Sequence, residues 1–270
     1  MDRPIPRPPL RPAQSFGLRR SPRVIMALVF REMSTTYGQS SLGYLWALLE
    51  PLAGILLLTL VFSLAFRSPS IGTSFPLFYA SGLLPYLAYQ QISQKISQAL
   101  RFSRPLLFYP RVTFIDALLA RLILNALTQV MIFVLVLAGI LIAYRIDVIL
   151  NIPAIALSLA MSFSLAFGVG VLNCYLFWQI PIWRSVWKVV NRPMFVLSCV
   201  LFIFDDVPQP YQDWLWWNPL VHVVGMMRSG IYATYDSSYV SPLYVFLVAL
   251  ATAAFGLLQL HRWHRNIVED

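Results

Sequence analysis

The side chains of this sequence that could do chemistry are polar groups set within long apolar runs. Arg121, Asn125 and Gln129 recur at four-residue spacing, so they would form one stripe along a helix. Polar and charged groups at membrane depth are costly and often mark functional sites. The stripe therefore predicts one of two roles: the wall of a polar passage, or hydrogen bonds that join helices within a bundle.

Other common reactive arrangements are missing from the sequence. The histidines form no cluster with cysteines or carboxylates at metal-ligand spacing. Lys95 follows Gln94 and Lys188 follows Trp187, so neither lysine completes the Gly-Lys-Ser/Thr of a P-loop. We therefore expect no catalytic residue and no metal site. If ATP drives the protein, another polypeptide hydrolyses it.

The composition is that of an all-α integral membrane protein. Of 270 residues, 59% are hydrophobic and 11% are charged, where a soluble domain carries roughly a quarter charged residues. The mean hydropathy of +0.69 agrees. The net charge of +9 is concentrated at particular ends of the apolar runs, which indicates membrane topology rather than nucleic-acid binding. Cys174 and Cys199 fall within apolar runs, where small hydrophobic residues are expected.

Six membrane spans can be drawn after two N-terminal elements. Residues 1–20 are rich in Pro and Arg and predict a disordered tail that could contact anionic lipid headgroups. Residues 21–38 predict an amphipathic helix lying in the membrane interface. The spans lie within residues 39–260, and the fifth span requires a bend at Pro193. The spans are 45–66, 76–96, 114–144, 152–177, 183–204 and 243–260, and a polar tail follows at 261–270.

Several charged and aromatic residues are predicted at the membrane surface. Arg23 and Arg31 lie on the polar face of the first helix. Trp46 and Glu50 open the first span, where Glu50 could be an interfacial anchor, an ion-pair partner or part of a site. These residues would fix the N-terminal part of the chain against the bilayer.

The distribution of basic residues predicts that both termini are cytoplasmic. Arg and Lys then concentrate inside, and segment 205–240, with its four Asp, lies on the outer face. The cytoplasmic segment 99–113 combines three arginines with apolar residues that two prolines bracket, which favours docking on a partner protein. Its candidate docking residues are Arg101, Arg104, Leu107, Tyr109 and Arg111.

Two runs resemble the signatures of a known family. Residues 30–51, FREMSTTYGQSSLGYLWALLEP, and residues 214–232, WLWWNPLVHVVGMMRSGIY, resemble those of capsular polysaccharide exporter permeases of the type-2 ABC transporter superfamily. The six-span spacing extends the resemblance over nearly all of the chain after residue 20.

The resemblance implies an inner-membrane homodimer that exports a lipid-linked polysaccharide. It implies two ATP-binding subunits that hold ATP and Mg and push on segment 99–113, and a periplasmic co-polymerase or outer-membrane export partner. It also implies short re-entrant helices between spans five and six, which would make 205–240 a periplasmic gate. Aromatic rings there could stack on sugar. The gate candidates are Tyr211, Trp214, Trp216, Trp217, Tyr232 and Tyr235.

The sequence leaves alternatives and shows one departure from the family. Gly225, Met226 and Met227 stand where an acidic residue is expected, which questions a charge pair with Arg228. The cargo could instead be O-antigen, teichoic acid or a drug. A membrane-embedded glycolipid transferase would need a carboxylate at the outer interface. Three residues offer one, although they could equally be solvated loop charges: Asp205, Asp206 and Asp213.

Overall fold

The computed structural model describes residues 21–36, 43–107 and 112–269, and this part of the chain contains ten α-helices and no strand. The predicted tail 1–20, the end of the first predicted helix at 37–38, Tyr109 and Arg111 lie outside the described residues. The helices are α1 (Ser21–Thr36), α2 (Gly43–Ala65), α3 (Phe75–Ser97), α4 (Ala99–Leu107), α5 (Phe114–Tyr144), α6 (Ile152–Gln179), α7 (Trp183–Leu197), α8 (Tyr211–Trp216), α9 (Pro219–Ile231) and α10 (Pro242–Glu269).

Four described helices are long and apolar enough to cross a membrane. They lie in α2, α5, α6 and α10. This confirms the all-α class and agrees with an integral membrane protein. The remaining two predicted spans differ: α3 is long but interrupted by glutamines, and α7 has only 15 residues. Six spans therefore stay a prediction.

Local sequence explains where several helices begin. Thr113 caps α5: its Oγ1 accepts a hydrogen bond from the Asp116 amide at 3.2 Å, and the Asp116 carboxylate accepts one from the Thr113 amide at 3.1 Å. Asn151 caps α6, and Asn218 caps α9 ahead of a proline at the first helical position. Helix α5 ends at Tyr144, and its C-cap residue Arg145 has a left-handed φ of 49°.

The core is built around α6 and α3. Helix α6 packs against α10, α3 and α9, while α3 also touches α2 and α5. Gly168 and Gly170 allow close packing of α6 against its neighbours. A Cβ at Gly168 would collide with the Ala249 carbonyl oxygen of α10, and one at Gly170 would lie 2.8 Å from the Cβ of Ile96. Both cysteines are buried.

Helix α7 is shorter than the sequence predicted. It begins at Trp183 and contains Pro193 as expected, but it ends at Leu197 rather than near residue 204. Cys199 adopts a left-handed φ of 56°, and the non-helical backbone that follows presents the carbonyls of Val200 and Phe202 to Arg228. In a helix that continued to residue 204, the Val200 carbonyl would accept from the amide of residue 204 instead.

The C-terminal helix is longer than predicted. Helix α10 continues through the predicted tail 261–270 as far as Glu269.

Candidate functional site

A cavity of about 450 Å³ lies between α3, α4, α6 and α7. We call it the basic cavity. Four cations line it, and none of its described lining residues is a carboxylate. Amide, hydroxyl and aromatic groups complete the walls. The lining residues are Tyr89, Gln90, Ser93, Gln94, Ser97, Gln98, Arg101, Phe177, Arg184, Trp187, Lys188, Asn191 and Arg192.

A second cavity of about 360 Å³ adjoins the first near α4. The two share Ser97, Arg101, Phe177 and Arg184, and Arg104 lines only the second. The α4 arginines therefore stand beside the basic cavity. A movement of α4 would change both spaces.

The basic cavity exists because α7 stands away from the rest of the bundle. None of the α7 residues, all of which are described, is buried. Hydrogen bonds tie this helix to its neighbours: Trp183 Nε1 donates to Asn173 Oδ1 at 3.0 Å, Tyr86 donates its hydroxyl to the Asn191 carbonyl at 3.3 Å, and Asn218 Nδ2 donates to the Leu197 carbonyl at 2.9 Å. Polar side chains line the gap beside α7, and Met194 and Phe195 near its C-terminal end pack against the core.

Sequence reasoning missed this cavity although both of its walls leave a signal. Gln90, Gln94 and Gln98 recur every four residues along α3 and at its C-cap, and Arg184, Lys188 and Arg192 do so on α7. A basic stripe such as that on α7 is also what side chains that reach the membrane interface would give. Two polar stripes at helical spacing predict that α3 and α7 each have a polar face. They do not predict that the two faces lie opposite each other.

The predicted passage stripe on α5 lies elsewhere in the bundle. Arg121 pairs with Glu32 of α1, where its Nε lies 2.6 Å from Oε1. Asn125 donates to the Arg121 carbonyl at 2.7 Å, and Gln129 donates to Gln91 Oε1 at 2.6 Å. The contacts of Arg121 and Gln129 are those of the helix-joining alternative, whereas the Asn125 bond stays within α5. The passage role stays a prediction.

Of the residues predicted at the membrane surface, Glu50 is hydrogen-bonded and the others are exposed or half-buried. Glu50 accepts a hydrogen bond from Gln91 Nε2 at 3.1 Å, which extends the chain of polar contacts from α5 through α3 to α2. Arg23 is exposed, Arg31 is half-buried and Trp46 is 72% exposed. Their interfacial role stays a prediction.

The predicted docking residues are partly described. Arg101 and Arg104 belong to α4, and Leu107 is the last residue of that helix. Tyr109 and Arg111 lie outside the described residues, so only the first half of segment 99–113 has a described fold.

The aromatic segment between α7 and α10 contains the two short helices α8 and α9. Its predicted sugar-contact residues fall into two groups. Tyr211, Trp214 and Trp217 are exposed, at 65%, 80% and 68%. The others turn inward: Trp216 donates to the Tyr239 carbonyl, and Tyr235 shares a hydrogen bond with the Tyr239 hydroxyl. Tyr232 is half-buried beside Gly72.

His222 joins α9 to the elements on either side of it. Its ring is fully buried, and Nε2 lies 2.8 Å from the Trp216 carbonyl while Nδ1 accepts from the Ser241 amide at 3.2 Å. These partners require the neutral tautomer with the proton on Nε2. Burial lowers the pKa of His222, which favours that neutral form.

Arg228 is fully buried without a carboxylate within ion-pair distance among the described residues. Its guanidinium donates to the Phe202 carbonyl at 2.7 Å and to the Val200 carbonyl at 3.0 Å, and it lies 4.6 Å above the Phe78 ring. This agrees with the lack of an acidic residue at 225–227. Backbone carbonyls replace the expected partner.

The three outer carboxylates of the transferase hypothesis are exposed. Partial burial, with Asp236 and Asp206 nearby, raises the pKa of Asp205 above its usual range. Asp206 and Asp213 are exposed on the same segment. Their setting is that of solvated loop charges.

Comparison with known proteins gives consistent matches. The model of the family described as "ABC-2 type transporter" matches residues 23–232. Polysialic acid transport protein KpsM of Escherichia coli is 32% identical over 233 residues, covering 86% of this chain and 90% of KpsM. Capsule polysaccharide export inner-membrane protein CtrC of Neisseria meningitidis is 26% identical over 246 residues, with coverage of 91% and 92%. BexB of Haemophilus influenzae, which bears the same description, is 21% identical over 245 residues, also with coverage of 91% and 92%.

Proposed function

Because this chain belongs to the ABC-2 type transporter family, we propose that it is the permease subunit of an exporter that moves lipid-linked capsular polysaccharide across the inner membrane. Relatives named for polysialic acid transport and for capsule polysaccharide export align over most of its length. The observation that carries the proposal is the basic cavity.

The cavity suits an anionic saccharide. Its four cations, Arg101, Arg184, Lys188 and Arg192, would attract carboxylate or phosphate groups, since no described lining residue opposes them. Glutamine side chains both donate and accept hydrogen bonds, as sugar hydroxyls require. Trp187 offers a ring that could stack on the apolar face of a sugar.

The route across the membrane follows from the proposed topology. With α3 and α7 as the two further spans and both termini cytoplasmic, the basic cavity opens toward the cytoplasm and receives the cargo. Helices α8 and α9 would re-enter the outer leaflet and form the exit gate. Its exposed rings, Tyr211, Trp214 and Trp217, would meet the departing polysaccharide.

The transporter needs partners that supply energy and complete the path. An ATP-binding subunit would bind α4 and the residues after it, and would hold the ATP and Mg. A second copy of this chain would complete the permease, since α7 has no buried face of its own. A periplasmic co-polymerase or an outer-membrane export protein would receive the polysaccharide.

Surface capsule in living cells tests the function. Cells that lack the chain should accumulate polysaccharide inside and lose surface capsule, and the wild-type chain should restore export. The double variant Lys188→Gln and Arg192→Gln should restore about tenfold less surface capsule, because the cavity loses attraction for the anionic cargo. Surface capsule would be measured with a capsule-specific antibody, and assembly by co-purification with the ATP-binding subunit.

Arg67→Gln provides a matched control, since Arg67 is an exposed cation outside the cavity. It should export normally. Full export by the cavity variant would contradict a role of the cavity in the route. Accumulation of O-antigen or teichoic acid in the deleted cells would assign the other cargo, and sugar transfer by the purified chain alone would favour the transferase.

A further inference from the structure

Arg121 occupies a junction of four helices. It belongs to α5, its Nε lies 2.6 Å from the Glu32 carboxylate of α1, and its Nη1 donates to the Lys95 carbonyl of α3 at 2.6 Å. The guanidinium also lies 4.3 Å from the centre of the Phe102 ring of α4. Glu32 and Arg121 are 7% and 4% exposed. One side chain therefore contacts three neighbouring helices.

The contacts of Arg121 straddle the corner between α3 and α4. Helix α3 ends at Ser97 and α4 begins at Ala99, so Gln98 alone separates them. Lys95 lies in the last turn before this corner, and Phe102 lies in the first turn after it. The guanidinium holds both sides of the corner, through a charge-assisted hydrogen bond on one side and a cation–π contact on the other.

Glu32 fixes the guanidinium from the opposite direction. A buried ion pair is strongly held because separating it would leave an uncompensated charge inside the protein. Helix α1 is seated on α5 by a small apolar contact, in which Leu28 and Val29 pack on Ala120 and Leu124. The ion pair stands next to this contact, and it joins α1 and α5 to the corner.

The same corner forms part of the cavity wall. Gln94, Ser97 and Gln98 line the basic cavity, and Arg101 of α4 lines both cavities. Lys95, which Arg121 holds, is the direct neighbour of Gln94. A displacement of α4 that is passed on to the end of α3 must therefore move groups that line the cavity.

We propose that Glu32 and Arg121 form a clamp that makes the α3–α4 corner move as one body with α1 and α5, so that force on α4 changes the shape of the basic cavity. Both are positioning residues, because neither touches cargo or nucleotide. The proposal rests on the proposed function, in which the ATP-binding subunit acts on α4. It assigns to Arg121 a role different from the passage wall.

Thiol labelling of the cavity tests the clamp without requiring cargo. The full complex with its ATP-binding subunit would carry Gln94→Cys, and both native cysteines are buried. ATP should change the labelling rate of this cysteine when the clamp is intact. In Glu32→Gln the ATP-induced change should fall about tenfold, because coupling of one to three kcal/mol corresponds to factors of that order. Unstimulated ATP hydrolysis should be retained.

A second substitution separates the clamp from a general structural role. Phe102→Leu removes the ring on the α4 side and leaves the ion pair in place, and the ring is 41% exposed, so the fold should survive. It should also reduce the ATP-induced change, and adding it to Glu32→Gln should have little further effect, because both act through Arg121. Ser34→Ala is the control on α1, since that hydroxyl bonds only within its own helix.

An unchanged ATP response in Glu32→Gln, or losses that multiply in the double variant, would overturn the clamp. If the Glu32→Gln complex does not assemble, the Phe102→Leu complex provides the test. A wild-type change in labelling rate on adding ATP to that complex would overturn the proposal. Export by the same complexes is measured in parallel. A wild-type complex that responds to ATP without exporting polysaccharide would refute the proposed function and leave the clamp supported.

Discussion

Two buried arginines stand near opposite ends of α3, and they are balanced in different ways. Arg121 meets α3 at Lys95 and Arg228 meets it at Phe78, positions about 26 Å apart along the helix at ~1.5 Å per residue. Each guanidinium lies over a phenylalanine ring and donates to backbone carbonyls. Only Arg121 has a carboxylate partner, Glu32.

Arg121 is neutralised by an opposite charge, whereas Arg228 is stabilised by backbone dipoles. At Arg121 the opposite charge comes from a different helix, so the pair links two elements that could otherwise move apart. At Arg228 the carbonyls of Val200 and Phe202 take the place of water around the guanidinium. Removing an arginine therefore has different consequences at the two ends: one change leaves a charge behind, and the other leaves only dipoles.

The largest expected effect is that of Arg121→Leu. It leaves the Glu32 carboxylate buried without its counter-charge, which costs about 3–5 kcal/mol of the free energy of unfolding. The double variant Glu32→Leu and Arg121→Leu should regain most of this loss, because an apolar pair can replace a buried ion pair. Thermal unfolding in detergent would measure both. A double variant as unstable as Arg121→Leu would show that charge pairing is not the cause.

Arg228→Leu should cost less, about 2–3 kcal/mol, because two buried carbonyls lose their donors but no charge is orphaned. Arg228→Lys should recover part of the stability, since an ammonium keeps the charge but lacks the planar fork that reaches both carbonyls. The same unfolding measurement applies. If Arg228→Leu were as harmful as Arg121→Leu, the distinction between the two arginines would fail.

Gly82→Ala should lower stability by about 1 kcal/mol through crowding at the Arg228 end. A Cβ at Gly82 would lie 3.1 Å from the Val200 Cα and 3.3 Å from Arg228 Nη2. Gly139 of α5 is the matched control, because a Cβ there would meet nothing within 4 Å. Gly139→Ala should stabilise the helix slightly. Equal effects of the two changes would rule out close packing as the reason for Gly82.

The smallest expected effect is a pH dependence confined to the Arg228 end. The pKa of His222 is lowered by burial, so the unfolded chain, with a His pKa of about 6.5, takes up a proton first as the pH falls. Stability should therefore be full above that pH and decline below it. The protection factor of the Ser241 amide hydrogen, which compares its exchange rate with the intrinsic rate at the same pH, should therefore fall between about pH 7.5 and about pH 5.5.

His222→Asn supplies the control for this effect, because it retains an acceptor near the Nδ1 position but cannot titrate. In this variant the protection factor of the Ser241 amide hydrogen should not fall over the same pH range. The same pH response in this variant would exclude His222 as its origin.

The sequence predicted elements well where local pattern decides them. A helix was predicted for residues 21–38 and is present as α1, whose Leu28 and Val29 pack on α5. Helix α5 spans Phe114–Tyr144 as drawn. In each case neighbours in the chain carry the information.

What could not be predicted depends on contacts between distant segments. Nothing near Arg121 in the sequence specifies Glu32, because their pairing follows from how α1 is laid on α5. The end of α7 at Leu197 depends on Arg228, which needs free carbonyls at Val200 and Phe202. The basic cavity depends on α7 standing apart from α3. No local propensity encodes such a gap.

The length of α5 gives the Arg121 junction mechanical leverage. Its 31 residues extend over about 46 Å at ~1.5 Å per residue, well beyond a hydrocarbon core of about 30 Å. Arg121 anchors this rod near one end, and roughly 35 Å of helix separates it from Tyr144. A pivot of about 5° at the anchor would swing the far end by roughly 3 Å. A small rotation of α5 at the Arg121 end would therefore displace its other end, on the opposite side of the bilayer, by more than a bond length.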